Sequence, residues 1–565
     1  MLALSVRLYG LNWDQGQHLH PDERMIVMVT EKISIPTTNL FSVDSTLNPH
    51  FFAYGSLPIY LLKFTSSLLV PIFPQIGSYE QINLLGRVIS AIFDSLTVLL
   101  IFHICQRMFE NTRQSLLAAL VYTVSILPIQ LSHFYAVDTI LTFFIFFTLL
   151  QLIAYFQNQK IFNLLLASIG IGLSLATKIS ATVLVASLGT SLVAGILLTI
   201  RNQIFSHNQP LHQKISSFIG HIFSLKKLRH SRLSIIIKVF CLLIFTSTIA
   251  AVVFIVCEPF ALIDYPNFIR QIMEQQAMTK NAFVFPYTLQ YVNTTPYLYQ
   301  LENIFLWGLG PIIGTLSFIG FIIVNIKLVK GLIVPGNDQS EGAQLIILTF
   351  FLAYFFVVGG FAIKFMRYCL PLYPIFIIYA AHLLTSIKSK FVVLFIFLGH
   401  LCLLFAFLAI YRLPNTRVTA TNWINSQVPQ GSTILIEHWD DALPLGYLNN
   451  LNQISLPLYD SDSDPHKWNF INQMLVRGDY IIIASNRLST PLPKLVNCDQ
   501  LPEDKCYPLT ARYYRDLFAG NLGYTKVAEF TSYPTLFGFS VNDQSADESF
   551  TVYDHPQIMI FKKTF

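Results

Sequence analysis

Ten runs of about twenty mostly apolar residues govern what this chain can become. They begin near Leu84, Gln114, Asp138, Ile161, Ile179, Ile235, Asn303, Ala343, Cys369 and Phe391. Roughly 20 such residues in a helix cross the ~30 Å hydrocarbon core of a bilayer. Of the 565 residues 53% are hydrophobic and only 12% charged, against roughly 25% charged in soluble domains. So few charges cannot cover a water-facing surface of this size. A polytopic α-helical membrane protein is expected. Its 48 Phe and 26 Tyr suit contact with membrane lipids. The net charge of +5 is small, and no basic block is interleaved with stacking aromatics. Nucleic acid is therefore not an expected partner.

Charge is unevenly spread, and the step marks a boundary. Residues 412–565 hold 28 of the 67 Asp, Glu, Lys and Arg, about twice the density of residues 1–411. Residues 1–411 read as the transmembrane body and 412–565 as a water-exposed α/β domain. In the tail, short apolar runs bounded by turn residues predict strands at Thr433–Glu437, Tyr480–Ala484 and Ile558–Phe561. Helices are expected at Thr416–Ser426, Lys467–Val476 and Ala511–Phe518.

Orientation comes from the stretch that holds Arg201, Lys214, Lys226, Lys227, Arg229, Arg232 and Lys238 with no Asp or Glu. The positive-inside rule makes this loop, 201–234, cytoplasmic. Counting spans from it places a first loop at 13–83, a loop at 257–302 and the tail on the outer face. The chain is thus expected in the cell membrane with its C-terminal domain extracytoplasmic. Phe51 to Phe73 carries Pro58, Lys63 and Pro71 and reads as an interfacial or re-entrant helix. Met1 to Leu11 is apolar but shorter than a span, as though a first helix were clipped.

Ionisable groups at membrane depth are costly and mark function. His20-Pro21-Asp22-Glu23-Arg24 precedes a helical pattern. It reads either as a helix start, with Pro in the first turn and acids at the N-terminus, or as a carboxylate pair suited to a general base. Asp138 opens a very apolar span. It is either a cap or a buried functional acid. Arg87, Lys178, Lys364 and Arg367 lie near span ends, where they could snorkel or hold a phosphate. Glu258 opens the large outer loop at 257–302. Glu437 to Asp441 could bind an acceptor or a metal, with a solvated loop as the plainer reading. No Cys/His spacing supports a zinc site, and no Walker loop, GxSxG or HExxH occurs. Cys498 and Cys506, eight apart and the only cysteines of the tail, are expected to pair in an oxidising compartment.

Taken together these segments resemble the GT-C fold, lipid-carrier-dependent glycosyltransferases of the dolichyl-phosphate-mannose–protein mannosyltransferase family (glycosyltransferase family 39). The resemblance rests on HPDE at His20 to Glu23, NPHFFAYGSLPIYL at Asn48 to Leu61, SHFYAVDTILTFF at Ser132 to Phe144 and ATKISA at Ala176 to Ala181. EPFALIDYPNF at Glu258 to Phe268 and RYCLPLYP at Arg367 to Pro374 add to it. It implies a GT-C-like bundle of about ten to twelve transmembrane helices. It also implies transfer of one sugar, with inversion, from a polyprenyl-phosphate-linked donor to an acceptor hydroxyl of a protein, lipid or glycan. Asp22 would be the base, supported by Glu23, with Asp138 a second essential carboxylate. Arg87, Lys178 and Arg367 would contact donor phosphate. His20, Arg24, Tyr54, His133 and Glu258 are the expected substrate contacts. Arg24 directly after Glu23 departs from the family pattern. No metal ligand set is evident and no cofactor is expected beyond, at most, a divalent cation. The competing readings are a secondary transporter, which should show two similar halves that this sequence lacks, and a membrane receptor, which leaves Arg87, Asp138 and Lys178 without a purpose.

Overall fold

The computed structural model describes residues 1–36, 38–205, 229–333, 338–446 and 450–564. Most of the basic loop expected at 201–234, residues 206–228, lies outside the described residues.

The expected runs form helices. Those of the membrane body used below are α1 (Leu2–Leu8), α2 (Pro21–Lys32), α3 (Ser56–Leu69), α4 (Tyr79–Phe109), α5 (Thr112–Thr123), α6 (Ile126–Ser132), α7 (Asp138–Asn158), α8 (Ile161–Thr177), α9 (Leu184–Phe205), α10 (Arg229–Cys257), α11 (Tyr265–Lys280), α12 (Pro311–Ile333), α13 (Asp338–Gly359), α14 (Tyr373–Ser386) and α15 (Lys390–Leu408). Among the described residues, seven helices are long and apolar enough to cross a membrane, or eight if the bent pair α5–α6 is one span. Two shorter apolar helices, Ile161–Thr177 and Ile179–Ala194, account for the remaining runs. The protein is a polytopic helical membrane protein.

Two departures have local causes. The run at Gln114 bends by 54° between α5 and α6, because Pro128 has no N–H to donate back to Val124. The run expected from Asn303 begins its long helix only at Pro311, after Gly310 takes a φ of +75°. Proline suits the first helical turn, where its missing N–H has no partner to lose. The run at Phe51–Phe73 yields a 14-residue helix, α3, too short to span.

α7 is the hub. Its apolar window is 72% buried, against 11% for the window in α10. α4, α8 and α9 pack around α7, and α10 packs against α8 with most of its apolar surface left exposed. A buried ion pair ties the N-terminus in by joining α1 to α4: Arg7 Nε donates to Asp94 Oδ2 at 2.5 Å, and the Tyr122 hydroxyl donates to Asp94 Oδ1 at 2.6 Å.

The tail adds helices α16 (Thr416–Gln427), α17 (Pro465–Arg477) and α18 (Pro508–Phe518). They flank a five-stranded sheet in the order β2-β1-β3-β7-β4. Its strands are β1 (Thr433–Glu437), β2 (Asn452–Leu456), β3 (Tyr480–Ile483), β4 (Tyr524–Phe530) and β7 (Ile558–Lys563). β1 runs parallel to β2 and β3, while β7 is antiparallel to β3 and β4. Alternate residues serve opposite faces. Leu435, Ile481 and Ile483 meet α17 and α18, while Ile434, Ile436 and Ile482 meet Ala420 and Ile424 of α16. A separate hairpin pairs β5 (Thr535–Leu536) with β6 (Phe539–Ser540). Cys498 and Cys506 are disulfide-bonded, with Cα atoms 5.3 Å apart.

Candidate active site

α2 starts as its sequence suggests, with Pro21 in the first turn and His20 as the capping residue. The His20 Nδ1 accepts the Glu23 N–H at 3.4 Å. Burial pushes the His20 imidazole down to about 3, so at neutral pH it is the acceptor that this cap requires. The ring lies between Phe134 and Tyr553, centroids 4.5 and 4.3 Å away. Because His20 caps the helix, the Asp22 carboxylate is released for other partners. It pairs with Arg367 and bonds the Tyr54 hydroxyl. Burial alone would raise this carboxyl, but Arg367 and then His20 and Tyr54 outweigh it and hold Asp22 below the usual carboxylate value.

A second carboxylate–cation pair stands beside the first. Asp138, the first residue of α7, accepts from Lys178 Nζ at 3.1 Å. The Tyr368 ring lies against both cations, 4.4 Å from Lys178 Nζ and 5.7 Å from Arg367 Cζ. The Lys178 and Arg367 side chains are 18% and 10% exposed, so neither is fully sealed from the surface. The motifs quoted from the sequence converge here. The Gly55 N–H donates to Thr177 O at 3.1 Å, next to Lys178. Phe52 N donates to Gln271 of α11 at 2.7 Å, and Asn48 Nδ2 donates to Asp264 at 3.1 Å.

Four other expected site residues are placed apart from these two pairs. Arg87 was expected on donor phosphate, but all five of its N–H groups are taken. They reach Glu23 Oε1 and Oε2, Asp14 Oδ1 and Oδ2, and Leu11 O at 2.6–3.0 Å, and guanidinium has no more donors. Glu23 was expected to support the base. Its carboxylate is fully buried against Arg87 and the Tyr135 N–H, which donates at 2.8 Å. His133 was expected on substrate. Its ring nitrogens face the carbonyls of Ile129 and Tyr9 at 2.8 and 2.7 Å, and its ring stacks on Tyr411. Glu258 is buried beside Ser56, behind the loop that carries Tyr54, and burial pushes its carboxyl up to about 8. Arg87, Glu23 and Asp14 form a brace that holds the first loop onto α4.

The tail completes the site. Arg24 Nη1 donates to Asp441 at 3.0 Å. Gln130 of α6 donates to Phe550 O at 2.7 Å, and the Tyr411 hydroxyl donates to Asp554 at 2.8 Å. Between first loop and tail lies a cavity of about 180 Å³ bounded by Pro21, Arg24, Trp439, Asp441, Arg487 and Tyr553. Its charges are paired: Arg24 with Asp441, Arg417 with Asp440, Arg487 with Glu548. Trp439, in the left-handed region at φ +74°, lines it and is 45% exposed overall, and its carbonyl accepts from Arg487 at 3.1 Å. Asp14, Arg487 and Tyr553 were not singled out from sequence, since nothing local signals partners so distant in the chain. Among the described residues no group of three or more His, Cys, Asp or Glu is placed to hold a metal ion.

Comparison with protein families finds a match over the central segment. Residues 72–208 match the model of the Dolichyl-phosphate-mannose-protein mannosyltransferase family. This mannosyltransferase-like segment runs from the end of α3 through α9, under half of the chain, and contains Arg87, Asp138 and Lys178. Compared with curated proteins, the chain finds no match. Among solved structures it is similar to the Archaeoglobus fulgidus oligosaccharyltransferase in the apo form, at 12% identity and a TM-score of 0.45, over 96% of this chain and 75% of that one. It is also similar to ArnT from Cupriavidus metallidurans in the apo state, at 12% identity and a TM-score of 0.42, over 88% and 94%. ArnT bound to undecaprenyl phosphate gives 11% identity and a TM-score of 0.41, over 85% and 92%. Superpositions this loose assign nothing to the chain.

Proposed function

We propose that this chain is an inverting glycosyltransferase. It moves one sugar from a polyprenyl-phosphate donor to an acceptor hydroxyl on the membrane face that bears residues 412–565. That face is extracytoplasmic in this reading, in keeping with the Cys498–Cys506 disulfide. The observation that carries the reading is the pair of carboxylate–cation contacts around Tyr368, Asp22 with Arg367 and Asp138 with Lys178.

Donor phosphate competes with the carboxylates for these cations, which are the strong kind of phosphate ligand. Once Arg367 turns to phosphate, Asp22 loses the charge that depresses its proton affinity and becomes a better base. The acceptor O–H then attacks the anomeric carbon and its proton passes to Asp22. The bond from that carbon to the phosphate oxygen breaks, and polyprenyl phosphate departs with the electron pair. Lys178 and Arg367 stand where that negative charge grows, which lowers the barrier. Asp138 keeps Lys178 in place. The acceptor enters through the cavity between Arg24 and Trp439.

Purified protein in lipid discs, given radiolabelled polyprenyl-phosphate sugars and membrane acceptors, tests this. The expected result is label on an acceptor hydroxyl with inverted anomeric configuration. No transfer from any donor, despite donor binding, overturns it.

A further inference from the structure

The β5–β6 hairpin is built in a way that water does not favour. Its two-residue turn is Phe537-Gly538, with φ of +51° and +84°. Two-residue hairpin turns with both centres at positive φ normally take Asn-Gly or Asp-Gly, because only small or polar-headed residues sit there at little cost. A bulky aromatic side chain in the left-handed region is an outlier, and such outliers collect at functional positions. Phe537 is 88% exposed and Phe539 83%, with Val541 beyond them also exposed. Residues 530–542 carry no charged side chain, within a tail that is otherwise charge-rich.

The position of the hairpin says what covers it. β5 packs against α15 and against the turn Ala409–Arg412 that follows it, so it lies at the C-terminal end of that membrane helix. Phe405 near that end and Leu413 just beyond it are themselves 54% and 58% exposed. The bare phenylalanines therefore stand beside the C-terminal end of α15, at the level where a membrane-crossing helix leaves the hydrocarbon. Aromatic side chains concentrate at that level, and removing their apolar area from water favours insertion.

We propose that the Thr535–Ser540 hairpin is a membrane anchor, which inserts Phe537 and Phe539 into the lipid surface beside the end of α15. The anchor fixes the height of the tail above the membrane. It rests on the membrane-spanning helices and not on the glycosyltransferase reading.

Spin labels decide the matter. The full chain carrying Cys241→Ser, Cys257→Ser and Cys402→Ser is reconstituted in lipid discs, with single labels at Phe537→Cys, Phe539→Cys or Asn521→Cys. Asn521 lies in the turn before β4, at the opposite end of that strand from the hairpin. The expected result is relaxation by oxygen several-fold stronger than by a water-soluble nickel chelate at 537 and 539, with the reverse at 521. Chelate access at 537 and 539 equal to that at 521 overturns the proposal. So does dipolar broadening that grows with the number of copies per disc, which makes the partner a second copy of this chain. Phe539 lies outside the strained turn and pairs across the ladder with Leu536, so Phe539→Cys answers the question even where Phe537→Cys does not fold.

Discussion

Arg87 directs five N–H groups at five acceptors in the core, and that saturation decides what its removal does. Arg87→Ala strands the carboxylates of Asp14 and Glu23, both fully buried. Breaking one side of a buried pair typically costs 3–5 kcal/mol. The variant is therefore expected to melt well below the wild type in detergent. Whatever fraction folds should bind polyprenyl phosphate with unchanged affinity. A variant that melts normally but binds the lipid weakly would return Arg87 to the phosphate. His555 shows a second residue-scale dependence. It lies between Asp554 and Asp543 at 2.5 and 2.9 Å, and although burial alone would lower its imidazole, the two acids raise it from 6.5 to about 10. A raised folded value means that the ion pairs stabilise fully below 6.5, with the contribution lost as pH rises towards 10. The melting temperature should fall across that window in the wild type, whereas His555→Asn should start lower and lack the slope. Parallel pH profiles for the two would show that His555 is not charged in the fold.

At the scale of elements, the site depends on one close approach. A Cβ on Gly55 would lie 1.9 Å from Ala176 O, so Gly55→Ala must push the loop carrying Tyr54 off the turn carrying Lys178. Misplacement by about 1 Å can cost on the order of 10²-fold in rate. Transfer should fall by about that much, while Gly189→Ala, which meets nothing within 4 Å, should leave it unchanged. Equal activity in both would separate the loop from the chemistry. The elements themselves were legible to different degrees, and for physical reasons. Ten apolar runs announce helices because a bilayer demands an uninterrupted apolar length. β1, β3 and β7 are readable because both faces of each are buried. β2 and β4 are sheet edges with polar faces, such as Asn452 and Gln453 or Thr525 and Lys526, so no apolar run marks them. In the site, Asp138, Lys178 and Arg367 could be picked out as charges at span ends, and Asp22 as one of an adjacent carboxylate pair in the first loop. Which cation met which acid could not, because Arg87 and Arg367 differ only in the tertiary path that brings Asp14 to one and Asp22 to the other. Trp439 to Asp441 read more plainly as a solvated loop, and only the tertiary contact of Asp441 with Arg24 brings them to the first loop.

For the whole molecule, the first loop and the tail share one site, with Arg24 bonded to Asp441, so both must lie on one side of the bilayer. A cysteine introduced at position 545 should react with a membrane-impermeant reagent in intact cells, and one at position 220 should not. Labelling at 220 with protection at 545 reverses the topology and the compartment of the reaction with it. The central claim is narrower: Asp22 takes the acceptor proton while Arg367 and Lys178 hold the phosphate. Asp22→Asn keeps the shape of the side chain but cannot accept that proton. The decisive measurement is transfer and donor binding determined together on this variant. The account predicts transfer reduced by roughly 10²–10⁴-fold with donor affinity kept or improved, since Arg367 is then free of its carboxylate. Transfer near the wild-type rate would contradict it.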